Sequence, residues 1–295
     1  MRVKVLEAGV VDGLLTPRLM VEWVEKVLKD PSATEAPRAS LEAGGSWLGV
    51  MAASGFGRHV VKVVGVYPEN PGRGLPLVRG LLLSIDSSTG DRVFEAPAEE
   101  PTGWRTAAAS ALALKLLGFS GGGVLGVIGA GVQARYHLKV LTGLYGFDGV
   151  LVYSRTPRKA EALAREYGGR AVSLGEVLRG SDVIVAATTS TEPVVTGEAR
   201  RGSYIVSVGA PKPVREVSDE VLQAAGCVLV DSPIAPEESE DAARAPKTAT
   251  LREVLQGKAE CRPGDYKVYK SVGTPLLDLA AALAIEEAIK SRGRG

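Results

Sequence analysis

The segment Gly126-Val127-Ile128-Gly129-Ala130-Gly131-Val132-Gln133-Ala134 narrows the folds open to this chain more than any other. It sets G-x-G-x-x-A between an apolar run at 124–128 and a stretch with helical apolar spacing at 132–144, and a second apolar run follows at 149–153. A glycine pattern of this kind is weak alone and strong when strand, helix and strand frame it. Gly129 permits the tight turn, Gly131 lets a diphosphate approach the backbone, and Ala134 keeps helix and strand close. The turn Gly129, Ala130, Gly131, Val132, Gln133 and Ala134 opens a helix whose free N–H groups and positive dipole end attract that diphosphate. These residues are therefore the candidate dinucleotide contacts.

The surrounding pattern extends the same architecture. Apolar runs at 183–187, 204–208 and 227–230 and a helical stretch at 157–167 alternate in the way that builds a parallel sheet covered on both faces. Upstream the pattern changes. Residues 17–29 have helical spacing with Thr16 as N-cap and Pro17 in the first turn. The runs 60–67 and 78–85 read as neighbouring strands, and 102–117 as a helix opened by Arg105. Ser120-Gly121-Gly122-Gly123 marks a boundary. The fold class is thus α/β: a Rossmann-type doubly wound parallel sheet over 119–271, and a second, mixed α/β domain over 1–118. The acidic and proline-bearing stretch 232–246 reads as a solvated surface excursion. The terminal helix 276–290, apolar on one face, must dock on one of the two domains.

At 295 residues the chain exceeds the ~250 residues at which single cores stop growing, so two domains are expected. The formal net charge of +1 gives no field that would draw it to nucleic acid or an anionic membrane surface. No stretch reaches the ~18 apolar residues of a membrane span, and the first residues lack an apolar signal core. Cys227 and Cys261 are too few for a disulfide framework and lack metal-site spacing; they fit a reducing cytoplasm, with no metal expected. Asn70 is the single asparagine and there are only three glutamines, a scarcity resembling that of hot-adapted proteins.

The end of the second framed strand selects the nucleotide. An NAD site places a carboxylate there for the ribose 2′-OH, whereas a 2′-phosphate needs cations and hydroxyls. Tyr153-Ser154-Arg155-Thr156-Pro157-Arg158-Lys159 holds no carboxylate. NADP(H) is preferred, with NAD(H) as second choice. Arg155 can stack on adenine and, with Ser154 and Thr156, hydrogen-bond the phosphate, while Arg158 or Lys159 adds charge. Solvated cations in a helix's first turn remain the alternative.

Three upstream cations stand in unusual company. Arg38 follows Pro37, Lys62 interrupts a valine run, and Arg105 lies in Thr102-Gly103-Trp104-Arg105-Thr106. A lysine in such a strand costs burial energy unless it snorkels or meets an anion. Convergence on a carboxylate would offset the cost, and placement on an edge or surface would avoid it. The residues alone leave both open.

Arg105-Thr106-Ala107-Ala108-Ala109-Ser110, the Lys62 strand with Tyr67-Pro68-Glu69-Asn70, the glycine turn, and Ser271-Val272-Gly273-Thr274-Pro275-Leu276-Leu277-Asp278-Leu279 resemble, in order, the ornithine cyclodeaminase/mu-crystallin family. The resemblance covers nearly the whole chain. It implies a substrate-binding and dimerisation domain completed by 272–295, a homodimer, and binding of an amino- or imino-acid carboxylate by Arg38, Lys62 and Arg105 beside the nicotinamide. The chain departs from cyclodeaminases where those carry aspartate in a Val-Gly-Gly-Asp-Cys-Pro-like loop: here Val208-Gly209-Ala210-Pro211-Lys212-Pro213 has proline at the corresponding place. Their glutamate ahead of a Leu-Met-Pro stretch is also missing, Gly49-Val50-Met51-Ala52 standing there instead.

The expectation is hydride transfer between NADP(H) and a small L-amino acid or its imine, of the ketimine reductase, pyrroline-2-carboxylate reductase or alanine dehydrogenase type. Lys62 would bind the carboxylate or exchange the nitrogen's proton. A cyclodeaminase using Glu216 or Asp231, and a non-catalytic NADPH or small-ligand binding protein, are the alternatives. His59 and His137 read as structural. Asp278 either caps the last helix or contacts cofactor, the cap being favoured.

Overall fold

The computed structural model describes residues 4–292. Its elements, in chain order, are β1 (Lys4–Val5), α1 (Val10–Leu14), α2 (Pro17–Lys29), β2 (Thr34–Glu35), β3 (Ala39–Ala43), β4 (Ser46–Gly55), β5 (Arg58–Val66), β6 (Val78–Asp86), β7 (Arg92–Pro97) and α3 (Glu99–Leu116). There follow β8 (Val124–Ile128), α4 (Val132–Leu144), β9 (Gly149–Tyr153), α5 (Pro157–Glu166), β10 (Arg170–Ala171), α6 (Leu174–Gly180), β11 (Val183–Ala186), β12 (Tyr204–Ser207) and α7 (Asp219–Ala225). The rest are β13 (Val228–Val230), α8 (Ala235–Glu238), α9 (Glu240–Ala243), β14 (Thr248–Thr250), α10 (Leu251–Leu255), β15 (Lys267–Lys270) and α11 (Pro275–Arg292). Two compact units result: one runs to Arg105 and resumes at Thr274, the other is Thr106–Gly273. The division falls inside α3, ahead of the glycine run.

The first unit is a seven-stranded mixed sheet, ordered β1-β7-β6-β5-β4-β2 with β3 also on β4. Alternation along its strands sends Met51 and Ala53, Val60, Lys62 and Val64, and Leu82 and Ser84 to one face, all buried. That face is covered by α11, which packs on β4, β5, β6 and α2. The β5 run is apolar at nearly every position apart from Lys62 because the opposite face is apolar as well. Helix α2 starts as its sequence dictates, with the Thr16 hydroxyl accepting from the Leu19 N–H and Pro17 at the first position.

The second unit is an eight-stranded, wholly parallel sheet ordered β10-β9-β8-β11-β12-β15-β13-β14. The direction in which successive strands are added reverses between β8 and β11, the switch point at which open α/β sheets bind ligands. The Rossmann-type expectation holds. Among the described residues no helix is long and apolar enough to cross a membrane, and no group of three or more His, Cys, Asp or Glu is placed to hold a metal ion.

Three expectations are corrected. Helix α3 begins at Glu99, so Arg105 lies in its second turn and does not open it; Pro101 is tolerated because its missing N–H falls where helical donors lack partners anyway. The stretch 232–246 is not simply solvated: it folds into α8 and α9, and Asp241 is completely buried because it neutralises a buried lysine. Cys227 and Cys261 form a disulfide, their Cα atoms 5.5 Å apart across a separation of 34 residues. Two cysteines that frame no motif can still meet when the chain returns to the end of the same strand, a pairing that spacing alone does not reveal.

Candidate functional site

In the first unit the three candidate cations gather around one carboxylate. Lys62, on the inner face of β5, is 2 % exposed and donates from Nζ to Asp278 Oδ1 at 2.8 Å. Arg105 Nε lies 3.3 Å from the same oxygen. Arg38, half-buried just ahead of β3, is near enough for its charge to act on Lys62. Burial pushes the Lys62 ammonium down to about 8; the Asp278 carboxylate opposes that shift, and Arg105 and Arg38 reinforce it. Two cations, Lys62 and Arg105, on one carboxylate leave an excess of positive charge that suits an anionic ligand. Edge or surface placement is thereby excluded for Lys62 and Arg105.

Asp278 is not the helix cap. The start of α11 is satisfied by Thr274 and Glu35: the Leu276 N–H reaches Thr274 Oγ1 and Glu35 Oε2, each at 3.4 Å, and the Thr274 hydroxyl bonds Glu35. Capping at Thr274-Pro275 repeats the Thr16-Pro17 arrangement of α2 and frees Asp278, one turn further on, to face the strand. Position in the helix made a cap plausible; the lysine of a distant strand, which sequence order hides, decided otherwise.

In the second unit the glycine turn sits at the C-terminal end of β8. Gly129 has φ of 116°, and a Cβ there would run into the Ala187 carbonyl oxygen beyond β11. A Cβ at Gly131 would meet nothing within 4 Å, and the N-terminus of α4 has no side-chain cap. Ala134 is fully buried in the helix–strand contact, whereas Val132 is 62 % exposed. The buried Gln133 Oε1 has no hydrogen-bond partner. Open space over uncapped N–H groups fits a diphosphate. At the end of β9, Arg155, Thr156, Arg158 and Lys159 are exposed and Ser154 half-exposed. The Thr156 N–H donates to Ser154 Oγ at 3.2 Å, and the first turn of α5 holds no acidic residue. No ion pair engages these cations among the described residues.

A second buried lysine escaped the sequence reading. Lys270 Nζ, at the end of β15, lies 2.9 Å from Ser207 Oγ and 3.2 Å from Asp241 Oδ2, and donates to the Gly209 carbonyl. Glu216 accepts from the Thr188 N–H and hydroxyl, Ser207 Oγ and the Gly209 N–H. Asp231 accepts from Ser271 Oγ and from the N–H groups of Val272 and Gly273. Val268-Tyr269-Lys270 is the same kind of lysine-in-strand signal as the Lys62 run and would have found the first of these. His137 is structural as expected: it is buried between Ser110 Oγ (2.9 Å) and the Gln133 carbonyl (2.7 Å), and burial lowers it to about 4. His59, exposed, bonds Ser54 Oγ.

The model of the ornithine cyclodeaminase/mu-crystallin family matches residues 4–293. The chain belongs to this family. Ketimine reductase mu-crystallin of Mus musculus is 34% identical over 254 residues, 83% of this chain and 81% of that protein. Among solved structures, Thermococcus litoralis Delta(1)-pyrroline-2-carboxylate reductase in complex with NADH and L-proline superposes with a TM-score of 0.87 at 28% identity, over 98% of each chain. An archaeal alanine dehydrogenase dimer with bound NAD gives 0.89 at 25% identity, over 99% of this chain and 98% of the other.

Proposed function

We propose that the protein is a nicotinamide-dependent oxidoreductase that reduces the imine of a small α-amino acid, or runs the reverse oxidation. The observation that carries this is the convergence of Lys62 and Arg105 on one buried carboxylate with Arg38 beside them. Gly129, Ala130, Gly131, Val132, Gln133 and Ala134 would hold the diphosphate, and Ser154, Arg155, Thr156 and Arg158 the ribose 2′-phosphate, so that NADP(H) is preferred over NAD(H). Bound there, the nicotinamide supplies or accepts a hydride. Arg38 and Arg105 fix the substrate carboxylate, which removes its translational freedom and sets the C=N carbon for attack. Reduction of a neutral imine takes one hydride at carbon and one proton at nitrogen. The Lys62 ammonium, whose burial makes it readier to release that proton, gives it directly or through one water. With the relatives named above acting on ketimines, pyrroline carboxylate or alanine, the substrate carries a carboxylate next to C=N.

Ring closure with loss of ammonia has less support. The loop 209–215 holds no carboxylate, and Glu216 and Asp231 have their oxygens engaged by backbone and hydroxyl donors.

The outward face of the β4–β5–β6 sheet supports a homodimer. It carries Leu48, Val63 and Leu81 along a groove of about 540 Å³, with Leu41 70 % exposed beside it. An apolar patch of this kind on a regular sheet marks an interface, and the archaeal dehydrogenase of the same fold is a dimer. A cytoplasmic setting agrees with the amide scarcity, because intracellular proteins of hot-adapted cells do retain disulfides such as Cys227–Cys261.

The test is turnover of NADPH with a panel of cyclic imines and of 2-oxo acids plus amines. Lys62→Ala and Arg105→Ala are expected to lose at least ~10²-fold in kcat/KM. Tight NADPH binding with no turnover on any of these substrates, or mutants as active as the parent, would overturn the reading.

A further inference from the structure

We propose that Asp278 is the positioning residue of the acid-binding site: its carboxylate holds the Lys62 ammonium and the Arg105 guanidinium on one oxygen, so that a substrate carboxylate arrives as the second anion of a site already ordered. This rests on the proposed function for the identity of the substrate and on geometry for the rest. Asp278 is 2 % exposed and Lys62 is 2 % exposed, so neither charge is stabilised by bulk water. Both cations meet Asp278 at Oδ1, at 2.8 and 3.3 Å, while Oδ2 is buried without a hydrogen-bond partner. A carboxylate spent on holding its helix would engage the free N–H groups of the first turn. Here Thr274 and Glu35 take that part, and Asp278 is left to the cations.

The arrangement has a physical consequence for the empty site. Without Asp278, Lys62 and Arg105, with the Arg38 charge acting nearby, would repel one another and splay, and each would need reordering when substrate binds. One fixed carboxylate converges two of them and leaves the net charge positive, so that the cost of ordering is met before binding. It also favours the charged form of Lys62 against burial and against the two arginines.

The other charges on the packed elements have partners of their own. Glu286, two turns further along α11, is bonded by Arg58 and Ser84, and Glu35 on β2 by Thr274. Arg105 and Arg38 are the cations that face Lys62. Removing the Asp278 charge therefore leaves Lys62 facing only cations, and its proton affinity must fall.

The experiment uses the full-length protein with isotopically labelled lysine, following the Lys62 side-chain titration by NMR, with kcat and KM for an imino acid measured in parallel across pH. In Asp278→Asn, which keeps the shape and removes the charge, the Lys62 midpoint is expected to move below its parental value by about one pH unit or more. The alkaline limb of kcat/KM should follow it, and KM should rise about tenfold, corresponding to ~1.4 kcal/mol. Asp278→Glu should restore the midpoint in part while leaving KM raised, because charge is returned at a different reach. NADPH affinity should not change in either variant.

An unmoved Lys62 midpoint in Asp278→Asn overturns the proposal, as does a uniform fall in kcat with KM and pH profile unchanged, which is the mark of a merely structural role. A shifted midpoint in a protein that turns over no imine supports the positioning role and overturns the assigned reaction instead.

Discussion

The molecule buries two lysines, one in each unit, and they stand in opposite electrostatic company. Lys62 shares one carboxylate with an arginine and has a second arginine close by. Lys270 faces two carboxylates, Asp241 at 3.2 Å and Glu216 at 3.9 Å, with a hydroxyl and a carbonyl completing its shell. The first cluster is short of anions and the second is saturated with them. Burial of a charge is common to both and so marks neither as functional; the sign of the imbalance does. A cation-rich pocket has a place for an anionic ligand, while the Lys270 cluster uses its groups to pin the ends of β12 and β15 and the loop beyond them.

Replacing each lysine by methionine should give opposite phenotypes. Lys270→Met strands Glu216 and Asp241 in the core and should cost ~3–5 kcal/mol of unfolding free energy, read by denaturant titration. Lys62→Met leaves Asp278 paired with Arg105 and removes an ammonium that burial already disfavours. Its stability should not fall, yet kcat/KM should drop about 10³-fold. Equal loss of stability in both variants would break the contrast.

The disulfide sharpens it from the stability side. Cys227 and Cys261 close a loop in the unit that also holds Lys270, so the Cys227→Ser/Cys261→Ser pair should lose ~3–4 kcal/mol. The pH profile of turnover, which we propose Lys62 sets, should stay in place; a shifted alkaline limb would contradict the separation. That limb itself is expected near pH 8, with kcat/KM falling above it as Lys62 loses its proton.

His137, also in the second unit, titrates against stability alone. Its folded value of about 4 lies below the unfolded value of about 6.5. Its contribution is therefore complete above pH 6.5 and is lost as pH falls towards 4, amounting to ~3 kcal/mol. His137→Gln should flatten the acid side of the stability profile while leaving activity at neutral pH intact. The smallest effect belongs to an exposed charge: Arg155→Ala should weaken NADPH by roughly tenfold, ~1.4 kcal/mol, against little change for NADH. Equal changes for both nucleotides would show that Arg155 does not read the 2′-phosphate.

Much of this arrangement was legible in the sequence because its signals are local. The glycine turn, its flanking strands and the Thr-Pro helix starts each lie within a few residues and carry their own backbone chemistry. Lys62 was legible because a lysine in a valine run is costly wherever the strand ends up. What stayed hidden joins distant segments. Asp278 and Lys62 are 216 positions apart, and Asp241, in a stretch that reads as a surface charge run, goes inward only because Lys270 arrives later in the chain. The cysteine pair failed for the same reason. The helical signal of α3 reads from 102, whereas the helix starts at Glu99, with Pro101 in its first turn where no hydrogen bond is owed.

The sheet of the first unit has oily side chains on both of its surfaces, α11 covering one and Leu41, Leu48, Val63 and Leu81 lining the other. If the second surface closes the proposed homodimer, the subunit has its own concentration written into its folding equilibrium. On dilution its melting temperature should slide downward, so that how long the fold survives depends on how many copies share the cell.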